Sequence, residues 1–161
     1  LWFQAKETGE FDIACTQHCG TYHFKMKGKL DEGYDLVIGS RYMEGGEQIG
    51  KSTIRDIGSR GMNFICRFFL GIPLTDCTHT FRGFRKSLFN EVSSKLDQKG
   101  HPNFQVQFSF WAVRNGHMTT EIPIRFIERE KDRGQSKISL KKELPQFLKL
   151  VGKLTVQRLF K

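Results

Sequence analysis

Long apolar runs are what this sequence lacks most clearly. Uninterrupted apolar stretches reach only a few residues, as at residues 68–70, whereas a bilayer-spanning helix needs about 20. The first residues show neither an initiator methionine nor the basic and apolar segments of a secretory signal, so we expect a fragment or a processed chain. Internal repeats and low-complexity segments are missing too. A chain of 161 residues is expected to form one domain with a buried core.

Acidic residues are also scarce. Seventeen Asp and Glu stand against 26 Lys and Arg, which gives a formal net charge of +9 and a pI near 9.6. Such an excess favours an anionic partner, which could be a nucleic acid, a phosphate substrate or the anionic surface of a membrane. A basic surface that only faces water is the simpler alternative, and composition alone does not choose among these.

The four cysteines, at positions 15, 19, 66 and 77, could in principle form disulfides. Cys66 lies in the apolar stretch 64–68, where a cysteine is typical of a small buried hydrophobic residue. We therefore expect a reducing compartment.

Short apolar strands alternate with amphipathic helices along the chain, which is the pattern of an α/β domain. The predicted strands or extended segments are residues 35–39, 80–84 and 119–127. The predicted helices are residues 53–70, 86–96, 104–114 and 140–160. Alternating apolar residues in 104–110 would also suit a strand, but the apolar run 111–113 and the stop at Asn115-Gly116 favour a helix. The first strand is a short apolar run between glycines, as in the buried strands of parallel sheets.

Prolines and glycines set further expectations for these elements. Pro123 predicts that the strand 119–127 lies at a sheet edge, because proline lacks the backbone donor of a central strand. Pro145 is expected to kink or restart the last helix. Three glycines between residues 42 and 50 predict a flexible loop that lines something.

Arg41 directly follows the predicted strand 35–39. Open α/β sheets bind ligands beyond the carboxyl ends of their strands, and a guanidinium there can grip a phosphate with two donors. The competing interpretation is an ordinary surface arginine at the end of a strand.

Arg55 and Ser59 lie four residues apart near the start of the predicted helix 53–70, so they share one face of it. A helix amino terminus that carries an arginine and a hydroxyl suits an anion. The polar outer face of an amphipathic helix is the alternative.

Asp76 lies in a polar loop that leads into an aromatic extended segment. A carboxylate in this position could act as a base or orient an acceptor. An aspartate that caps a turn would look the same in sequence.

A basic cluster surrounds Gly134 and consists of Arg129, Arg133, Ser136 and Lys137. Such a loop can surround a phosphate with backbone N–H groups and cationic side chains. A plain basic loop is the alternative.

Six motifs occur in order between residues 28 and 137. They are Asp-Leu-Val-Ile-Gly-Ser-Arg-Tyr at 35–42, an arginine fourteen residues after Arg41, Asp-x-Thr followed by Phe-Arg-x-Phe-Arg at 76–85, Phe-Gln-Val-Gln at 104–107, Glu-Ile-Pro-Ile-x-Phe at 121–126 and Arg-Gly-x-Ser-Lys at 133–137. Together they resemble glycosyltransferase family 2, in its branch of dolichol-phosphate mannosyltransferases and polyprenyl-phosphate relatives. The resemblance is specific, because so many ordered motifs rarely coincide by chance.

This resemblance implies a partial GT-A domain over residues 1–137, a Rossmann-like mixed sheet flanked by helices that lacks its first nucleotide-binding strands. It implies transfer of a sugar, above all mannose from GDP-mannose, to a dolichyl or polyprenyl phosphate with inversion. By carry-over, Arg41, Arg55 and Ser59 would hold the acceptor phosphate. The basic loop with Arg129, Arg133, Ser136 and Lys137 would close the site.

The resemblance also implies a divalent metal, Mg²⁺ or Mn²⁺, but the family's Asp-x-Asp before Gln-His is not intact here. Gln17 and His18 match the end of that motif, and Asp12 is the nearby carboxylate. One carboxylate and one amide make a poor site for a hard ion. Zinc is the alternative for this segment, with ligands drawn from Cys15, His18, Cys19 and His23, although this spacing matches no standard finger.

Residues 138–161 form the second predicted unit, a basic amphipathic helix. Seven Lys and Arg between residues 136 and 161 accompany one acidic residue, Glu143, and apolar residues recur at helical spacing. Such a helix can lie in a membrane interface, so we expect a peripheral protein at the cytoplasmic face of the plasma membrane or the endoplasmic reticulum. A terminal helix packed on the domain is the alternative.

Two other functions remain open at this point. A catalytically silent homologue or regulatory partner would keep the lipid-phosphate site without a donor site, and the missing Asp pair is the feature that would favour it. A nucleic-acid-binding module would rest on charge alone, because no recognition motif is present.

Overall fold

A computed structural model of the chain describes residues 32–50, 52–96, 103–127 and 140–160. In these residues the strands β1 to β5 are, in order, Leu36–Ser40, Glu47–Ile49, Arg82–Phe84, Thr119–Pro123 and Arg125–Ile127. The helices α1 to α4 are Thr53–Leu70, Lys86–Val92, Asn103–Arg114 and Leu140–Leu159, and a 3₁₀ turn at Ser93–Lys95 follows α2.

The strand β1 is the centre of a three-stranded sheet with the order β3-β1-β4. It runs antiparallel to β3, with Val37 opposite Gly83, and parallel to β4, with Ile38 opposite Glu121. All five residues of β1 are buried. The predicted α/β class, the mixed sheet and the buried first strand are therefore confirmed. Pro123 is also at an edge, because β4 pairs only with β1 among the described strands.

A second sheet joins β2 and β5 in parallel, with Gln48 opposite Phe126. The prediction of a flexible loop over residues 42–50 is wrong for its last part, because β2 lies there. Gly45 and Gly50 have φ values of 79° and 81°, so the chain can turn on both sides of a strand too short to show an alternating pattern. The predicted strand 119–127 is divided at Ile124, whose N–H donates to the Ser40 carbonyl at 3.0 Å.

The helix α1 covers 18 residues, as predicted, and Gly71 ends it with a φ of 67°. One of its faces is buried through Asn63, Cys66 and Leu70, so the expectation of a buried Cys66 is confirmed. Another face carries large exposed apolar side chains, namely Ile54, Ile57, Phe64 and Phe68.

The remaining helices follow the predictions with two corrections. The helix expected over residues 86–96 ends at Val92 and continues only as the 3₁₀ turn. The last helix does not restart at Pro145, because α4 runs through this residue as one element. A proline removes one backbone donor, and the packing of Phe147, Leu150 and Leu154 into the core holds the helix together around it.

The main core lies between one face of the central sheet and the helices. Leu36 and Ile38 of β1 face this core, whereas Val37 faces a smaller cluster with Ile122 and Ile124 on the other side. The alternation follows from the two-residue period of a strand. No helix in the described ranges has both the length and the apolar content needed to cross a membrane.

Candidate functional site

An ion pair between Arg41 and Asp76 lies at the carboxyl end of β1. The Arg41 Nε donates to Asp76 Oδ2 at 2.7 Å, and its Nη2 donates to Oδ1 at 2.9 Å. The two side chains retain only 10% and 0% of their exposure. The chain brings them together because Arg41 follows β1 directly, while Asp76 lies in the segment between α1 and β3.

Each partner shifts the pKa of the other away from neutrality. Burial alone would raise the pKa of Asp76, but the hydrogen bonds and charge of Arg41 outweigh it and hold the pKa below its usual range. Burial alone would lower the pKa of Arg41, but the bonds and charge of Asp76 raise it. Both groups are therefore charged at neutral pH, and Asp76 is poorly suited to accept a proton.

Further donors fix this pair. Asn63 Nδ2 donates to Asp76 Oδ1 at 3.3 Å, and the backbone N–H of Arg41 lies 3.3 Å from Oδ2. On the other side, Arg41 Nη1 donates to Gln48 Oε1 at 3.0 Å. Three of the five guanidinium N–H groups thus bind protein acceptors.

Glu121 holds the backbone beside Asp76. Its Oε1 accepts the N–H of Asp76 at 2.9 Å, and its Oε2 accepts the N–H of Thr75 at 2.8 Å. The Thr75 hydroxyl donates to the same carboxylate at 2.9 Å. These bonds join β4 to the segment that carries Asp76.

The backbone around Arg41 turns sharply after β1. The Ser40 hydroxyl lies 2.6 Å from Thr75 Oγ1, and it accepts the N–H groups of Tyr42 and Met43, each at 3.2 Å. The chain then folds back so closely that a Cβ at Gly46 would lie 2.6 Å from the Ser40 carbonyl oxygen. Only glycine fits there.

Tyr42 connects this turn with α1. Its ring contacts two guanidinium groups, with Arg41 at 5.0 Å and Arg60 at 4.4 Å from the ring centre. Its hydroxyl donates to Asp56 Oδ1 at 3.2 Å and also hydrogen bonds with Ser59. Asp56 accepts Arg60 Nε at 2.8 Å. Burial raises the pKa of Tyr42, so the phenol stays protonated at neutral pH.

Arg82 of β3 is a second cation of this region, and its side chain is partly buried. Its Nη2 donates to the carbonyls of His79 at 2.6 Å and Cys77 at 3.1 Å, and its Nη1 donates to the carbonyl of Gln105 at 3.0 Å. Burial lowers the pKa of Arg82 to about 10, which still leaves it charged at pH 7. Its bonds tie the segment 77–79 to α3.

The predicted site residues are in part brought together. Arg41 and Asp76 are paired directly, and Asn63 Nδ2 connects this pair to α1 by donating to Asp76 Oδ1 and to the backbone carbonyl of Ser59. Arg55 lies in the first turn of α1 and is exposed. The predicted phosphate-binding residues Arg129, Arg133, Ser136 and Lys137 lie outside the described residues, as do the predicted metal ligands Asp12 and Gln17.

Several side chains of this network had no role predicted from the sequence, and they include Tyr42, Arg60, Asn63 and Glu121. Arg60 had a usable signal, because it follows Asp56 by four residues on a helix. Glu121 begins the motif at 121–126, but the sequence assigned its side chain no role. Within the described ranges, no three His, Cys, Asp or Glu residues lie close enough together to hold a metal ion.

Two curated proteins are similar to this chain. One is a polyprenol monophosphomannose synthase from Mycolicibacterium smegmatis, 38% identical over 116 residues, which are 71% of this chain and 43% of that protein. The other is an undecaprenyl-phosphate mannosyltransferase from Micrococcus luteus, 38% identical over 106 residues, 65% of this chain and 42% of that protein. The chain belongs to the polyprenyl-phosphate glycosyltransferases of family 2.

Membership of the polyprenyl-phosphate glycosyltransferases confirms the resemblance carried by the six ordered motifs. The mixed sheet with its flanking helices accords with part of the GT-A-type α/β fold that this resemblance implies. No protein-family model matches the chain. The chain spans less than half the length of the two curated relatives.

Proposed function

We propose that the protein transfers a sugar, mannose first among the candidates, from a nucleotide-sugar donor to a polyprenyl or dolichyl phosphate with inversion. Both relatives are named as enzymes that act with mannose and a polyprenol or undecaprenyl phosphate. The observation that carries the proposal is the fixed position of Arg41 at the carboxyl end of β1, with Ser59 and Arg60 joined to it through Tyr42.

This reaction needs positive charge and alignment more than it needs a base. The acceptor phosphate is already an anion, and the leaving nucleoside diphosphate carries negative charge as well. A site that holds both groups therefore acts by positioning and by electrostatic stabilisation. Asp76 suits this chemistry as the residue that orients Arg41, because its lowered pKa and its bound oxygen atoms oppose a role as base.

In this proposal each basic residue of the site has its own contact with the acceptor phosphate. Two N–H groups of Arg41 make no bond to the described residues and would face the acceptor phosphate. Arg55, in the first turn of α1, would bind the same phosphate beside Ser59, where the helix amino terminus adds a partial positive charge. The loop with Arg129, Arg133, Ser136 and Lys137 would close the site.

A divalent metal remains part of the family expectation, with Asp12 and Gln17 as its candidate ligands. The donor set does not fit well, because Mg²⁺ prefers six oxygen ligands and these residues supply one carboxylate and one amide. No step proposed for this chain therefore depends on a metal.

We also propose that the protein acts at the cytoplasmic face of a membrane, as a peripheral protein. Two packed helices, α1 and α4, support this location. Arg158 of α4 donates to the carbonyl of Phe69 at 2.9 Å, and both helices expose apolar side chains. On α1, the side chains of Phe64 and Phe68 remain 66% and 67% exposed.

The charge of these two helices matches an anionic leaflet. Exposed basic residues accompany the apolar side chains on both helices, namely Arg55, Arg60, Arg67, Lys149 and Lys153. Each cation near such a surface contributes about 1 kcal/mol to binding. A lipid acceptor requires its enzyme to reach the bilayer surface, which this combination of side chains would allow.

A transfer assay tests the function. Membranes that contain the natural protein are incubated with a polyprenyl phosphate and with labelled GDP-mannose or UDP-glucose, with and without Mn²⁺. We expect a lipid-linked sugar from one donor, and a strong but measurable decrease in its rate of formation in Arg41→Ala. The absence of transfer from every donor, with protein that circular dichroism shows to be folded, would contradict the proposal.

A further inference from the structure

The side chain of Glu121 is hydrogen bonded to the segment that carries Asp76, the partner of Arg41. It lies on β4, beside β1, and the register places it opposite Ile38. Its two carboxylate oxygens accept the N–H groups of Thr75 and Asp76 and the hydroxyl of Thr75, at 2.8, 2.9 and 2.9 Å. Because the Glu121 carboxylate accepts two consecutive backbone N–H groups and a hydroxyl, it holds the backbone of residues 75–76 in one conformation.

The first connection from Glu121 to Arg41 passes through Asp76. Glu121 fixes the backbone N–H of Asp76, and the Asp76 carboxylate then receives Nε and Nη2 of Arg41. Because the Asp76 side chain is fully buried, it follows any shift of its own backbone.

The second connection passes through two hydroxyl groups. The single proton of the Thr75 hydroxyl is donated to Glu121, so in the 2.6 Å contact the Ser40 hydroxyl donates to Thr75. The Ser40 oxygen in turn accepts the N–H groups of Tyr42 and Met43. Glu121 thereby fixes the backbone that follows Arg41 as well as the partner of its side chain.

We propose that Glu121 is a positioning residue for the transfer reaction, which holds the guanidinium of Arg41 in register with the acceptor phosphate through Asp76 and Ser40. The expected effect of Glu121 on the transfer rate rests on the proposed function. The expected effect of Glu121 on the position of Arg41 does not, so an experiment on Arg41 tests the inference separately from the proposed function.

Only a carboxylate satisfies these contacts. A glutamine at position 121 keeps the shape, but its amide nitrogen would face a backbone N–H and leave that donor without an acceptor. Glu121→Gln is therefore expected to release the segment 75–76, and Glu121→Asp to restore part of the effect because it keeps both oxygens. A displacement of about 1 Å at a positioned group can cost about 100-fold in rate.

A double-mutant cycle provides the test in the full-length natural protein. The value of kcat/KM for polyprenyl phosphate is measured for the wild type, Glu121→Gln, Arg41→Ala and the double variant. We expect about a 100-fold loss in Glu121→Gln, an unchanged KM for the sugar donor, and no further loss when Glu121→Gln is added to Arg41→Ala. The proposal would be overturned if the double variant lost kcat/KM by the product of the two single losses, or if Glu121→Gln had wild-type activity.

A matched control is Glu91→Gln. Glu91 lies on α2 and bonds to His117 at 2.8 Å and to Asn115 at 2.7 Å, away from the Arg41 network. We expect wild-type activity in this variant. Thermal unfolding of all variants checks that Glu121→Gln is still folded at the assay temperature, and Glu121→Asp serves as the second variant if it is not.

A second measurement does not need activity. The Nε–H resonance of Arg41, assigned by its loss in Arg41→Ala, reports the bond to Asp76 in the ¹⁵N-labelled protein. We expect this resonance to shift or broaden in Glu121→Gln and to stay in place in Glu91→Gln. An unchanged resonance in folded Glu121→Gln would overturn the positioning role. A shifted resonance in a protein without any transferase activity would uphold that role and contradict only the proposed function.

Discussion

The guanidinium of Arg41 and the carboxylate of Asp76 form a two-point ion pair, with Nε to Oδ2 at 2.7 Å and Nη2 to Oδ1 at 2.9 Å. The pair is 35 residues apart in sequence and almost closed off from solvent. Because two of its donors bind the same carboxylate, the guanidinium at the end of β1 is held in one orientation. The following predictions test this arrangement and its consequences.

Removal of the Asp76 charge is expected to destabilise the protein strongly. Asp76→Asn leaves the Arg41 guanidinium buried without its counter-ion, which typically costs about 3–5 kcal/mol of the free energy of unfolding. Asp56→Asn is the matched control, because the Asp56–Arg60 pair is partly exposed and worth about 0.5 kcal/mol. Denaturant unfolding measures both, and an equal loss in the two variants would contradict the buried pair.

The pH dependence of stability should carry the signature of Asp76. Its pKa is lowered in the folded state, so its contribution is present above the unfolded value of about 4 and is lost as the pH falls through the folded pKa. We therefore expect the difference in unfolding free energy between wild type and Asp76→Asn to be constant near neutrality and to shrink in acid. If the difference in unfolding free energy between the two proteins grew below pH 4, the lowered pKa of Asp76 would be contradicted.

Arg82→Lys is expected to lower the free energy of unfolding by about 3 kcal/mol. A lysine ammonium cannot reproduce the fork that binds the carbonyls of Cys77, His79 and Gln105, and each buried acceptor left without a donor costs about 1–3 kcal/mol. Arg85→Lys is the control, because the Arg85 side chain is 44% exposed. Similar stability of the two variants, measured by thermal or denaturant unfolding, would show that the bonds of Arg82 carry no such energy.

Charged substitutions on the exposed face of α1 test the membrane proposal. Phe64→Glu and Phe68→Glu should each weaken binding to vesicles that contain anionic lipid by about tenfold or more, since burial of a phenylalanine side chain is worth about 1.5–3 kcal/mol. Met118→Glu is the control, because Met118 is exposed to a similar extent, 54%, but lies just before β4. Vesicle flotation measures binding, and equal binding by all three variants would remove α1 from the interface.

Local signals predicted α1 and β1 well. The helical spacing of apolar residues and Gly71 set the bounds of α1, and the apolar run between glycines marked β1. The strand β2 has only three residues, too few to show an alternation of apolar and polar side chains. It is a strand because it pairs with β5. Helix signals inside residues 86–96 could not reveal the change to a 3₁₀ turn at Ser93.

The site was predictable only in part, for a physical reason. Arg41 and Asp76 could be selected one by one, because a strand end and a polar loop mark them in sequence. Their pairing, and the role of Glu121 46 residues beyond Thr75, depend on how β1 and β4 lie side by side. Such contacts leave no local periodicity, and only the folded chain reveals them.

The most direct test of the lipid-phosphate site is the transfer of labelled mannose to polyprenyl phosphate by wild type and Arg55→Gln. This substitution removes one exposed charge of α1 without touching the bonds between Arg41 and Asp76. If several cations converge on the acceptor phosphate, the wild type forms lipid-linked mannose, and the KM of Arg55→Gln for polyprenyl phosphate rises about tenfold or more, the equivalent of about 1.4 kcal/mol. An unchanged KM in Arg55→Gln would contradict that convergence.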